Sequence, residues 1–245
     1  STRRPGDDAA QDAAPSPKDP ERAGTNGRSR SRKTSANGRL TNWRRLGDFV
    51  VGESNRLAYS AACRAADPAD DAGLSVLFLH GECGVGKTHL VQGIVQRWIE
   101  HTGRPSSAQY VTGEQFTNEF IAAIRNSSLD DFRRRMRKLD LLAIDDVHFL
   151  ANKVRTQSEF LYTLDAIGLS GARIVLASDN HPRHIKRVNQ ALVSRFLSGM
   201  VVKVERPDRQ TRIELIRRLA TSRGLAVNTS AAESIANQCV GSVRE

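Results

Sequence analysis

The twelve residues from Leu79 to Leu90, LHGECGVGKTHL, constrain this chain more than any other stretch, because Gly81 to Thr88 fit G-x-x-x-x-G-K-[ST]. In that pattern the glycines allow backbone angles that turn several N–H groups toward phosphate oxygens. The lysine ammonium reaches the β- and γ-phosphates, and the threonine hydroxyl can ligand Mg2+. The flanks agree with this chemistry. An apolar run, LSVLFLH at 74–80, precedes the loop, and Leu90, Ile94 and Trp98 follow at four-residue spacing, with Val91 and Val95 beside them. A strand, a glycine loop and an amphipathic helix whose N-terminus faces an anion form a nucleoside triphosphate site. Gly81, Glu82, Cys83, Gly84, Val85, Gly86, Lys87, Thr88 and His89 are its candidate nucleotide-binding residues.

Four further apolar runs read as buried strands: AQYVT (108–112), LDLLAIDD (139–146), RIVLASD (173–179) and MVVKVE (200–205). Helical patterns lie between them, so the expected fold is α/β, a parallel five-stranded sheet with helices on both faces. TGEQ at 112–115 is a capping-box sequence opening a helix that carries Phe116, Phe120 and Ile124. LLAIDD sets Asp145 and Asp146 at the carboxyl end of a strand, the edge where open α/β sheets bind ligands. Asp145 is expected to hold Mg2+ and Asp146 to face the attacking water.

Three segments follow from these patterns. Residues 1–40 are rich in Pro, Gly, Ser, Ala and charge and read as a disordered basic tail. Residues 41–206 form the nucleotide-binding core. Past Pro207 no strand appears; Asp208 caps a helix bearing Ile213, Ile216 and Leu219, a second helix runs through AAESIANQCV, and Ser242 starts a third. Residues 207–245 thus read as a small helical lid that stops short, and the chain as a fragment.

The formal charge is +10, with 37 basic and 27 acidic residues; nine and five of these fall in 1–40, leaving 28 and 22 for the rest. The excess is not confined to the tail, and a basic surface favours polyanions, nucleic acid or anionic lipid first. Two runs, RSRSRK (28–33) and RRRMRK (133–138), read as a solvated linker and a solvated helix face. Three separated cysteines without a C-x-x-C pair argue against a disulfide framework or a zinc site and suit a reducing cytosol. His181 and His184, within HPRH, have no carboxylate or cysteine between them, which argues against a metal site. No apolar run approaches the roughly 18 residues of a membrane span.

The order FVVGESN (49–55), GECGVGKTHL (81–90), LLAIDDVHFL (141–150), NKVRTQSEF (152–160), IVLASD (174–179), SRF (194–196) and VRE (243–245) resembles the chromosomal replication initiator family, DnaA, over its AAA+ domain from about Leu40 onward. The resemblance implies an AAA+ P-loop NTPase fold, ATP and Mg2+ as cofactors, and slow, switch-like ATP hydrolysis in the cytoplasm, at the nucleoid. It implies adenine contacts at Val51, Gly52 and Asn55, a γ-phosphate sensor at Asp179, an arginine finger at Arg195 acting on a neighbouring subunit, and a lid arginine at Arg244. It further implies single-stranded DNA contacts at Lys153, Arg155, Thr156 and Ile121. Lysine, arginine and a hydroxyl suit backbone binding without base readout, and NKVRTQSEF offers no aromatic at that segment's start for stacking. The expected partners are DNA, further copies of the chain in an ATP-bound filament, and a replicative helicase or its loader. One departure stands out: where the family often carries a second arginine four residues before the finger, this chain has Ala191. The resemblance does not extend to the family's duplex-reading carboxy-terminal domain or its amino-terminal helicase-recruiting domain.

Two other readings share the nucleotide motifs. A regulator or helicase loader acting through protein contacts would differ chiefly at Lys153, Arg155 and Thr156. A small-substrate kinase would need a substrate lid and no arginine from a neighbour, which SRF and the helical appendage argue against.

Overall fold

The computed structural model describes residues 43–70, 74–239 and 241. The expected disordered tail, Ser242 and Arg244 lie outside them. Five strands, β1 (Val76–His80), β2 (Ala108–Thr112), β3 (Leu141–Asp145), β4 (Arg173–Ser178) and β5 (Met200–Lys203), form one sheet in the order β2-β3-β4-β1-β5. Every pairing is parallel. A parallel sheet must be covered on both faces, and alternate residues of each strand supply the two apolar surfaces. Leu77, Leu79, Leu141, Ala143, Val175 and Ala177 face one core with helices α1 (Arg56–Ala65) and α2 (Lys87–Thr102). Phe78, Leu142, Ile144, Ile174 and Leu176 face the other, under α3 (Gly113–Arg125), α4 (Leu129–Arg137), α5 (Val154–Leu169) and α6 (Gln190–Phe196). The expected fold is therefore present, an α/β P-loop sheet with helices on both faces.

Local signals act where the sequence puts them. Thr112 Oγ1 accepts from Gln115 N and Gln115 Oε1 accepts from Thr112 N, a complete capping box at the start of α3. Asp208 caps α7 (Arg209–Ser222) by accepting from Thr211 N at 2.8 Å. That helix pairs with α8 (Thr229–Gln238) around a core of Ile213, Ala232 and Ala236, with Ile216 and Val227 at its edge. Two side chains depart from the expected faces: Ile124 is 45% exposed and Leu219 is 43% exposed. Each four-residue step overshoots a helical turn by about 40°, so Ile124 has rotated well away from Phe116. Three-residue steps undershoot by about 60°, which turns Leu219 off the face of Ile213. Among the described residues no helix is long and apolar enough to cross a membrane.

Candidate nucleotide site and nucleic-acid edge

The register brings the carboxyl ends of the five strands to one edge of the sheet. His80 is level with Ser178 and Lys203, and Thr112 with Asp145. From β1 the chain enters the glycine loop, tied to its neighbours by Gly81 N donating to Ser178 O (3.3 Å) and Val204 N donating to His80 O (2.7 Å). A Cβ at Gly81 would lie 2.3 Å from the Val204 carbonyl oxygen, so the backbone there passes too close for a side chain. Gly86 has φ +107°, and a Cβ on it would meet the Phe49 ring at 2.9 Å. That ring is itself held by Tyr59, stacked at 5.9 Å, and by His89, edge-on at 5.2 Å. Phe49 is a support of the loop that the sequence motif does not announce; its only signal is an apolar residue in the segment before α1.

Lys87, the first residue of α2, is buried, and its ammonium donates to Gly81 O, Glu82 O and Asp179 Oδ1, all at 2.8 Å. A desolvated ammonium with all three protons engaged is fixed in place. A phosphate offered to it would exchange one charge-assisted partner, Asp179, for another. Asp179 stands just past β4 and is partly exposed. Glu82 is exposed and ion-paired with Arg206. Cys83 is exposed, Gly84 has φ +83°, and Val85 is buried in the core. His89 donates from Nε2 to Arg45 O (2.7 Å), and burial holds its imidazole below the ordinary pKa.

Asp145 is buried at the end of β3, accepting from Asp146 N (3.0 Å) and from the Tyr110 hydroxyl (3.2 Å). Burial first, then the Asp145 charge, pushes the Tyr110 phenol far upward, so it remains a donor to that carboxylate. Asp146 takes the left-handed conformation, φ +53°, where the strand breaks into a 3₁₀ turn over Val147–Leu150. Such a conformation in a non-glycine residue costs about 1–2 kcal/mol, and Gly113 at the start of α3 passes so close that a Cβ on it would lie 2.7 Å from Asp146 O. Burial, and then repulsion from Asp145, raises the Asp146 carboxyl above its ordinary range. Tyr110 and Gly113 carry no sequence signal of this role; pairing of β2 with β3 puts Tyr110 there, and Gly113 opens the helix that follows.

The opening segment sits beside the start of α7. Asn55 is buried and binds its own loop, accepting from Gly52 N (2.9 Å) and donating to Val50 O (3.0 Å). Each end of its amide makes one hydrogen bond within the segment, which fixes the segment's shape. Gly52 has no room for a Cβ beside Thr211 Oγ1 and Asp208, and Val51 is exposed. Ser54 donates to Asp208 from its amide and hydroxyl, at 3.4 and 3.3 Å.

Arg195 lies in α6 and turns back on α5 of its own chain. Its guanidinium is 3.3 Å from Asp165 Oδ1 and donates to Leu164 O at 3.3 Å, over Gly168. Ala191 N donates to Asn189 Oδ1, within the cap of α6. On the other expected surface, Ile121 is 38% exposed, Arg155 is exposed and Lys153 is partly exposed. Thr156, expected to contact phosphate, is only 4% exposed, because it lies on the core-facing side of the first turn of α5. An aromatic does stand at this edge: Phe149, in the 3₁₀ turn four residues before Lys153 and just outside NKVRTQSEF, is 46% exposed.

Residues 41–203 match the family described as the bacterial DnaA ATPase domain. The chain belongs to that family. It is 31% identical to a replication initiator DnaA bound to AMPPCP and single-stranded DNA, over 82% of this chain and 61% of that one, with a TM-score of 0.72. Domain III of DnaA from Thermotoga maritima is 32% identical, with 82% of each chain covered and a TM-score of 0.77. AMPPCP-bound DnaA from Aquifex aeolicus is 31% identical over 82% of this chain and 62% of that one, with a TM-score of 0.72. This DnaA-family chain thus spans about three fifths of the length of two of these relatives, and most of the isolated domain III.

Proposed function

We propose that this chain is the ATP-controlled module of a bacterial chromosomal replication initiator, assembling with ATP on DNA and holding one strand to promote duplex opening. The observation that carries the reading is the convergence of the glycine loop, buried Lys87 and the carboxylates Asp145, Asp146 and Asp179 on one sheet edge, in a DnaA-family chain. Two close relatives bear a triphosphate analogue, one of them with single-stranded DNA.

The residues fit a nucleoside triphosphate. The loop backbone can approach phosphate because Gly81, Gly84 and Gly86 carry no side chain there, and the α2 N-terminus adds its dipole. Lys87 releases Asp179 and takes the β/γ-phosphates; Asp179, freed, faces the γ-phosphate or its water. Thr88 and Asp145 would hold Mg2+, which supplies neutralisation of phosphate charge when bound. Asp146, its carboxyl raised by burial, accepts a proton from the water that attacks the γ-phosphorus as the bond to the ADP oxygen breaks. Hydrolysis is slow and ends the assembled state. Val51 and Gly52 border the adenine. Arg195 acts in trans, leaving Asp165 for the γ-phosphate of the next protomer. Lys153, Arg155 and Ile121 contact the strand, in the cytoplasm at the nucleoid, with a helicase or its loader as a later partner.

The test is binding of a labelled oligothymidylate with ATP and with ADP. Tight binding with ATP alone is expected, lost with Lys87→Ala, whose nucleotide affinity falls more than 100-fold. Arg195→Ala is expected to bind ATP normally and fail to assemble. Equal DNA binding in ATP and ADP removes the switch reading.

A further inference from the structure

We infer that the segment Arg183 to Arg187 continues the single-strand surface begun by Lys153 and Arg155 and binds phosphates of the same strand. The inference rests on the single-strand reading above. Two stretches of this chain are free of acids: 147–158, between Asp146 and Glu159, and 180–204, between Asp179 and Glu205. The structure joins them. Asn152 N donates to Arg187 O (3.2 Å), and Arg187 Nη1 donates back to Asn152 Oδ1 (3.2 Å). Both residues are left-handed, φ +64° and +60°, so two tight turns meet. Buried Gln157 locks the junction, donating to Leu150 O and Arg187 O at 3.0 Å and accepting from Asn189 N at 2.8 Å.

Arg183, Lys186 and Arg187 are exposed beside this junction. Among the described residues, neither they nor Lys153 and Arg155 lie within 4.0 Å of a carboxylate, a lack they share with other exposed arginines such as Arg125 and Arg137 but combine here with a fixed junction between two segments. Three acids on the packed elements are already engaged, Glu159 by Arg133, Asp165 by Arg195 and Asp179 by Lys87, while Asp146, at the head of the first stretch, forms no ion pair among the described residues. Five uncompensated cations on two backbone segments fixed to each other present regularly held positive charge. A polymer of evenly spaced phosphates satisfies that arrangement without base contacts.

The experiment measures affinity of the 245-residue chain for a fluorescein-labelled oligothymidylate, with a non-hydrolysable ATP analogue, across a salt series. Each single-strand phosphate contact contributes about 0.7 to the slope of log K against log salt. Arg183→Ala/Lys186→Ala is expected to flatten the slope by about 1.4 and weaken binding about tenfold near physiological salt, with an unchanged melting temperature. The charge-matched control Arg137→Ala/Lys138→Ala, on exposed side chains outside both segments, is expected to keep the wild-type slope. If Arg183→Ala/Lys186→Ala binds as wild type while Lys153→Ala/Arg155→Ala loses affinity, this inference is overturned and the single-strand reading stands. If Lys153→Ala/Arg155→Ala also binds as wild type, the single-strand reading fails first. An equal loss in the control, or displacement by poly-glutamate at matched charge, likewise overturns the inference.

Discussion

Two basic runs of similar appearance meet opposite fates in this molecule. Helix α4 carries Arg133, Arg134, Arg135 and Arg137, and the start of α5 carries Lys153 and Arg155. On α4 the charges are largely answered. Arg133 grips buried Glu159 with two hydrogen bonds at 2.9 and 2.7 Å, Arg134 pairs with Asp131, and Arg135 pairs with Glu119 over the Phe132 ring. The helix meanwhile buries Phe132 and Met136. At α5, among the described residues, no carboxylate lies within 4.0 Å of Lys153 or Arg155, and the neighbouring Arg183–Arg187 turn adds cations instead of acids. The lesson is that a positive run reports little about polyanion binding until its neighbours are known. The denser run serves architecture; the sparser one has charge to spare.

The comparison can be broken most severely at Arg133. Its replacement by alanine leaves Glu159, 5% exposed, without its cation, and should cost about 3 kcal/mol in urea unfolding with little change in DNA affinity at matched folded fraction. DNA affinity falling as far as stability would place α4 in the interface. Next in size, Lys153→Ala/Arg155→Ala should weaken oligothymidylate binding about tenfold or more while unfolding stays within about 0.5 kcal/mol of wild type. A large loss of stability would show these cations to be structural after all.

A smaller effect comes from pH. Burial holds His80 and His89 below the ordinary imidazole pKa, and His80 is lowered further by His181 and Lys203. A folded pKa below the unfolded value means that the unfolded chain binds more protons, so stability rises with pH and is lost as pH falls below about 6.5. Melting temperature should therefore drop between pH 7 and 5.5, and His89→Gln should flatten that dependence; an unaltered slope in the variant would remove His89 as a contributor. Smallest of all, Arg134→Ala should shift stability by no more than about 0.5 kcal/mol, since its bridge to Asp131 is a solvated i,i+3 pair. A larger shift would mean that α4 relies on its outer face.

Much of the fold and part of the site can be read from the residues in order. Apolar runs of strand length, the glycine loop at 81–88, the Thr112–Gln115 box and the Asp208 cap are local, and local physics carries them into the structure unchanged. Which side chains are already engaged does not show in the residue order. Thr156 is packed inward, and Asn55 is bound to its own loop. Arg195 is engaged by α5, thirty residues earlier. Phe49 under Gly86 and Tyr110 on Asp145 carry no sequence signal of their roles.

By itself the order of residues determined that a parallel sheet would present a phosphate loop and two acids at one edge. Hydrophobic period and glycine placement act over a few neighbours, and that range is enough to define strands, helices and their ends. Which ammonium and guanidinium groups remain uncompensated was decided only by tertiary packing. Charge pairing depends on distances of a few ångströms between residues far apart along the chain, and the fold alone brings Glu159 to Arg133 while leaving Lys153 and Arg155 with no acid beside them.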